Sequence, residues 1–128
     1  MMSYYLAIDI GASSGRHILG SIEDGKIKLE EIYRFENGIS KIGDEYCWDI
    51  QGLFNEIKKG IKKCKEIGKV PKNIGIDTWA VDFVLLDEND EMLGNAVAYR
   101  DDRTDGYMEK AFQVIPQDML YLYIGIQF

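Results

Sequence analysis

Two strand-like runs parted by five small residues constrain this chain more than any other feature. Tyr4 to Ile10 is apolar apart from Asp9, the chain then passes through Gly11-Ala12-Ser13-Ser14-Gly15 and Arg16, and a second apolar, β-branched run follows from His17 to Ile22. Asp24-Gly25 is a hairpin signal, and Ile27 to Phe35 alternates. The three runs make an antiparallel meander. The first alternates too little for a surface strand and reads as a central strand buried on both faces. A P-loop or dinucleotide loop opens onto a helix whose N-terminus holds phosphate, whereas here strand follows glycine loop. Any phosphate must therefore be held by the turn itself. Gly11 and Gly15 are read as taking conformations closed to other residues, so that backbone N–H groups and the hydroxyls of Ser13 and Ser14 face one concavity. Asp9, at the mouth of the strand, suits a hydrated Mg²⁺ shared with phosphate oxygens. Arg16 either adds positive charge there or is a hairpin-edge arginine, and a plain turn is the rival reading of the whole loop.

Further along, Asn37-Gly38 to Glu45 reads as loop, with Tyr46 and Trp48 in a short strand. Asp49 can cap a helix whose apolar positions Ile50, Leu53, Phe54, Ile57, Ile61, Cys64 and Ile67 step by three and four, with Gly68 and Pro71 stopping it. Lys58, Lys59, Lys62, Lys63 and Lys65 form its solvated side. Strand character returns in "NIGIDTW", "VDFVLLD" and "MLGNAVAY", and Thr104 to Ile115 reads as a helix that Pro116 interrupts. The closing "DMLYLYIGIQF" is apolar and aromatic, which reads as a cut through a larger domain. Its apolar surface, from Met119 to Phe128, is an expected site of dimerisation.

Asp77 closes its strand as Asp9 closes the first, and Asp82 follows within another apolar stretch; each is either a ligand or a carboxylate satisfied by nearby backbone. Trp79 beside small Ala80 suits the apolar face of a sugar, though a core tryptophan is the commoner case. "YRDDRTDG" places Asp101 and Arg103 in a polar cluster able to hydrogen-bond several hydroxyls, or to form a surface salt-bridge network.

The totals narrow the choice. A chain of 128 residues, 46% hydrophobic, is one domain with a real core, and 15 basic against 22 acidic residues leave a net charge of −7 that repels nucleic acid. Cys47 and Cys64 lack metal or disulfide spacing and read as reduced and structural. No run approaches the roughly 20 apolar residues of a membrane helix, and the start lacks a signal peptide's charged flank, so a cytoplasmic location is expected.

With "AIDIGASSGR", "RFENG", "IGIDTWAVDFVLLD", "AYRDDRT" and "GIQF" in that order, the chain resembles the FGGY carbohydrate kinases, and among them those acting on L-rhamnulose. The resemblance spans nearly the whole chain and implies a ribonuclease H-like, actin-like ATPase fold: an α/β mixed sheet with a meander, then a helix and further strands. Residues 1–128 correspond to the opening part of the first of two domains. The resemblance implies that ATP's phosphates sit on Ala12, Ser13, Ser14, Gly15 and Arg16, that Asp9 helps place the Mg²⁺-bound phosphates, and that the ketose lies at Ala80. Kinases of L-rhamnulose carry glycine after the Thr-Trp pair, where this chain has Ala80. The family's general base, an aspartate, belongs to a later segment, so no catalytic residue is expected within these 128 residues. Two rivals stand beside this reading. One is a nuclease using Asp9, Asp77 and Asp82 as a two-metal cluster. The other is a non-catalytic sugar-sensing module of the same fold.

Overall fold

The computed structural model describes residues 2–127. Three strands come first: β1 (Tyr4–Ile10), β2 (Ser14–Glu23) and β3 (Lys26–Glu36). Both joints are antiparallel, so the meander expected from the sequence is present. Asp24 and Gly25 turn the β2–β3 hairpin with φ of 50° and 74°, the pair of positive angles that matches strand twist in a two-residue turn. A small hairpin follows, β4 (Ile39–Ile42) and β5 (Glu45–Trp48), and then the helix α1 (Ile50–Glu66). The chain returns in β6 (Pro71–Thr78), which lies parallel to β1 and completes the order β3-β2-β1-β6. A parallel neighbour needs a crossover, and α1 supplies it.

The boundaries of α1 follow from side chains named by the sequence. Asp49 accepts a hydrogen bond from the Gly52 amide at 2.8 Å, satisfying one of the free N–H groups of the first turn. Gly68, at φ 73°, ends the run in the left-handed region. The lysine face is solvated, with Lys59 on Glu56 at 2.6 Å and Lys63 near Glu66 at 3.7 Å. The opposite face covers one side of the sheet, where Leu6, Ile8, Ile10, Leu19, Phe35 and Cys64 form the main core. β1 is central, yet only that one face is buried: Tyr5 on the other side is 47% exposed. The expectation of burial on both faces fails because α1 covers a single side.

Beyond β6 the expected strands largely dissolve. "VDFVLLD" and "MLGNAVAY" yield one isolated bridge, Leu86 to Met92, and the two-residue β7 (Ala96–Val97), which joins β5 in a second sheet of order β4-β5-β7. Their β-rich composition finds no long partner among the described residues. The Asp87 carboxylate instead accepts the Asn89 and Glu91 amides at 2.8 and 2.9 Å and pins a tight turn. The chain ends in a 3₁₀ turn (Asp102–Thr104), α2 (Tyr107–Val114) and α3 (Gln117–Ile124); neither of these helices buries a residue. Cys47 and Cys64 are both free and buried, as expected. Among the described residues no helix is long and apolar enough to cross a membrane.

Candidate functional site

The loop between β1 and β2 is closed by its own backbone: the Gly11 amide donates to the Ser14 carbonyl at 2.9 Å. β2 begins at Ser14, so strand follows the loop and no helix end points into it. The expected reason for the two glycines needs correction. Neither adopts a positive φ. What Gly15 provides is space, because a Cβ there would lie 2.1 Å from Cζ of Phe35, a buried ring on β3. At Gly11 a Cβ would press on the Ser14 carbonyl at 3.2 Å. Asn37, read from the sequence only as part of a loop, straps the glycine turn from the far side. Its side-chain amide donates to the Gly11 carbonyl at 2.9 Å, and its backbone amide donates to the Ser13 carbonyl at 3.0 Å. The only signal for it was a side-chain amide standing one residue past a strand that pairs with β2. The hydroxyls of Ser13 and Ser14 engage no group among the described residues, which leaves them available.

Register sets the charges beside the loop. Asp9 stands directly opposite Arg16 on β2 and beside Asp77 on β6, so the three share one level of the sheet face that α1 leaves open. The Arg16 Nε donates to Asp9 Oδ2 at 2.8 Å, both side chains being 46% exposed. An exposed pair of this kind contributes little to stability, about 0–1 kcal/mol. It leaves Asp9 with one oxygen that has no partner among the described residues. A phosphate-borne Mg²⁺, which takes one or two carboxylates and fills its octahedron with water and phosphate oxygens, fits such a site. A protein-caged metal does not fit, since the described residues hold no group of three or more ligating side chains.

The second cluster is aromatic. The indole N–H groups of Trp48 and Trp79 both donate to Oδ2 of Asp82, at 2.6 and 2.8 Å. The rings stand 4.2 Å apart between centroids, inclined by 39°. With Thr78, Phe83 and Ala96 they line a cavity of about 220 Å³. Among the described residues the three-carboxylate cluster of the nuclease reading does not form. Ala80 is exposed in the turn between Trp79 and Asp82. Ala12 of the glycine loop packs against the core of Trp48, Ala96 and Ala98 that Trp79 also joins, so loop and aromatic cavity are neighbours.

Asp101 and Arg103 take up other positions. Asp101 is only 6% exposed and both its oxygens are engaged, Oδ2 by the Tyr46 amide at 2.7 Å and Oδ1 by the Arg103 amide at 3.0 Å. Those two backbone donors, Tyr46 first, hold its carboxyl below the usual range. Its observed work is to tie β5 to the 3₁₀ turn. The Arg103 side chain lines a separate small cavity of about 150 Å³ with Phe83, Val84 and Leu93.

A fold of this topology, with a turn-built loop beside an aromatic cavity, defines a class: the FGGY family of carbohydrate kinases, N-terminal domain, matches residues 4–127, and the chain belongs to that family. Among its relatives is the rhamnulokinase of Halalkalibacterium halodurans, 58% identical over 127 residues, a match covering 99% of this chain and 27% of the relative. The rhamnulokinase of Oceanobacillus iheyensis is 54% identical, covering 100% and 27%. The chain thus spans about a quarter of the length of these curated relatives. Among solved structures, the gluconate kinase of Lactobacillus acidophilus superposes with a TM-score of 0.76 over 95% of this chain and 25% of that one, at 15% identity. The ligand-bound xylulose kinase of the same organism gives 0.75 over 94% and 24%, at 16% identity. At such identities the likeness speaks to fold, and the fold is the actin-like one that the resemblance implied.

Proposed function

We propose that the complete protein of which this chain forms the N-terminal part transfers the γ-phosphoryl group of ATP to the 1-hydroxyl of L-rhamnulose. The observation that carries this reading is the packing of Ala12 on the core shared by Trp48 and Trp79, which sets the glycine turn beside a cavity walled by aromatic rings. The level of identity to rhamnulokinases favours L-rhamnulose as acceptor. In this reading Ala12 to Arg16 receive the ATP phosphates through backbone N–H groups and the Ser13 and Ser14 hydroxyls. Asp9, with its other oxygen, orients the hydrated Mg²⁺, which supplies neutralisation of phosphate charge when bound. Trp79, Ala80 and Asp82 face the ketose, while Asp101 and Arg103 hold the loops that flank it. A cytoplasmic location fits a reaction consuming ATP and a small polyol.

Transfer also needs a base to take the hydroxyl proton and a second wall to hold the nucleotide, and both belong to the remaining three quarters of the relatives' length. The 128-residue chain alone is therefore expected to bind without turning over. Calorimetric titration with MgATP tests the loop, and a coupled assay tests turnover. MgATP binding abolished by Ser13→Val with Ser14→Val, together with no ketose-dependent ADP release, is the expected result. Full-rate ADP release by this chain, or MgATP affinity indifferent to both hydroxyls, overturns it.

A further inference from the structure

Both tryptophans of the chain donate to a single oxygen of one carboxylate, and they reach it from different parts of the fold. Trp48 ends β5 in the small sheet, and Trp79 follows β6 in the large one. Asp82 therefore joins the two sheets at the wall of the 220 Å³ cavity. The turn that delivers it is strained. Val81 has φ 73°, a left-handed conformation that a β-branched residue avoids, and its side chain is 78% exposed, so no packing of Val81 accounts for it. The residues on either side do: Trp79 and Asp82 are fixed to each other across the turn at 2.8 Å, and Asp82 is fixed again to buried Trp48 at 2.6 Å.

The two donors occupy Oδ2 only. Oδ1 accepts nothing among the described residues, while the side chain lines the cavity. A carboxylate in that state is an acceptor held at a set angle, and a polyol hydroxyl is the donor that suits it. Resting on the sugar-kinase reading above, we infer that Asp82 and Trp48 determine which ketose the cavity accepts. Asp82 is the positioning residue, locking both indoles through Oδ2 and presenting Oδ1 to one hydroxyl. Trp48 is a specificity wall, although it lies far from the Thr-Trp-Ala turn in sequence. The two indoles, 4.2 Å apart between centroids and inclined by 39°, give the cavity a rigid apolar side, so a hydroxyl of the wrong configuration meets ring instead of acceptor.

The experiment uses intrinsic fluorescence, because Trp48 and Trp79 are the only tryptophans present and both sit at this site. L-rhamnulose and a ketose epimeric at one ring carbon are titrated separately into the chain, Asp82→Asn and Trp48→Phe, and MgATP is titrated calorimetrically as the control at the glycine loop. Asp82→Asn keeps shape and removes charge; Trp48→Phe keeps an aromatic ring and removes the N–H. The expected result is an emission change with L-rhamnulose in the unaltered chain, an affinity about tenfold weaker in each variant, and discrimination against the epimer reduced by a similar factor, with MgATP affinity unchanged. Unaltered affinity and discrimination in Trp48→Phe overturn the inference alone, and this variant decides the matter if Asp82→Asn does not fold. No response to either ketose in the unaltered chain overturns the sugar-site reading and this inference with it.

Discussion

At the scale of single residues, His17 shows how much of this fold depends on one uncharged ring. It is fully buried on β2, its Nε2 lies 3.2 Å from the Ile57 carbonyl of α1, and its Nδ1 has no partner among the described residues. Burial holds the imidazole below its ordinary 6.5, and the Ile57 carbonyl and the nearby Glu56 only partly offset this. The unfolded chain therefore takes up a proton near 6.5 that the folded chain refuses. His17's contribution is whole above 6.5 and is lost as pH falls toward its depressed folded value. Urea unfolding across that window should show stability declining on acidification, and His17→Gln should flatten the decline; an identical pH profile in the variant refutes the account. The second residue-scale prediction concerns Gly15. With a Cβ 2.1 Å from the buried Phe35 ring, Gly15→Ala should cost about 1–3 kcal/mol, read as a lower urea midpoint at constant slope. Because the loop moves with β2, it should also weaken MgATP binding.

Among the elements, α1 offers a test in which two effects of opposite sign compete. Gly60 sits mid-helix, where alanine would ordinarily gain about 1 kcal/mol in helix propensity. Here a Cβ would lie 2.2 Å from Nε2 of His17, an atom with nowhere to go, and overpacking of this kind costs about 1–3 kcal/mol. Gly60→Ala should therefore destabilise, and a variant more stable than the parent would show that α1 can lift off the sheet freely. The same contact marks the limit of what the sequence reveals. The helix was legible because its apolar residues step by three and four and Asp49 precedes them, and the meander was legible because its turn residues have one clear use. That Gly60 and His17 meet was not, since they lie on separate elements and neither breaks its local pattern. For the candidate site, the position of the loop and of Asp9 at a strand end was legible. Asn37 and Trp48 were not, because their roles arise only when β3 and β5 are placed. The strands expected after β6 failed for a related reason: composition shows which residues suit a strand, while pairing depends on a neighbour.

Across the whole molecule, cohesion is unevenly shared. The sheet β3-β2-β1-β6 and α1 carry the main core, and the small sheet is held to it by the Asp82 bonds, by Ala12 and Ile50, and by Trp79, which packs in both clusters. Apart from Ala96, Ala98 and Asp101, which are buried, the covering from Leu85 onward is thin: Leu85, Leu93, Leu122 and Tyr123 are 64%, 65%, 74% and 74% exposed, and α2 and α3 bury nothing. Local opening is governed by how much buried contact must be broken, so amide exchange should divide along the same line. Amides of β1 and β2 should exchange only through global unfolding, whereas those of α3 should exchange orders of magnitude faster, despite equally regular hydrogen bonding. The short hairpin near Asp87 should resemble α3, because its bonds are solvent-exposed. Asp82→Asn should raise exchange in β5 and β7 while leaving β1 unchanged, since Trp48 of β5 bonds directly to Asp82 whereas β1 is held by the main core. Protection in α3 equal to that of β1, or an Asp82→Asn effect spread evenly over both sheets, would mean that the molecule coheres through contacts other than the aromatic bridge.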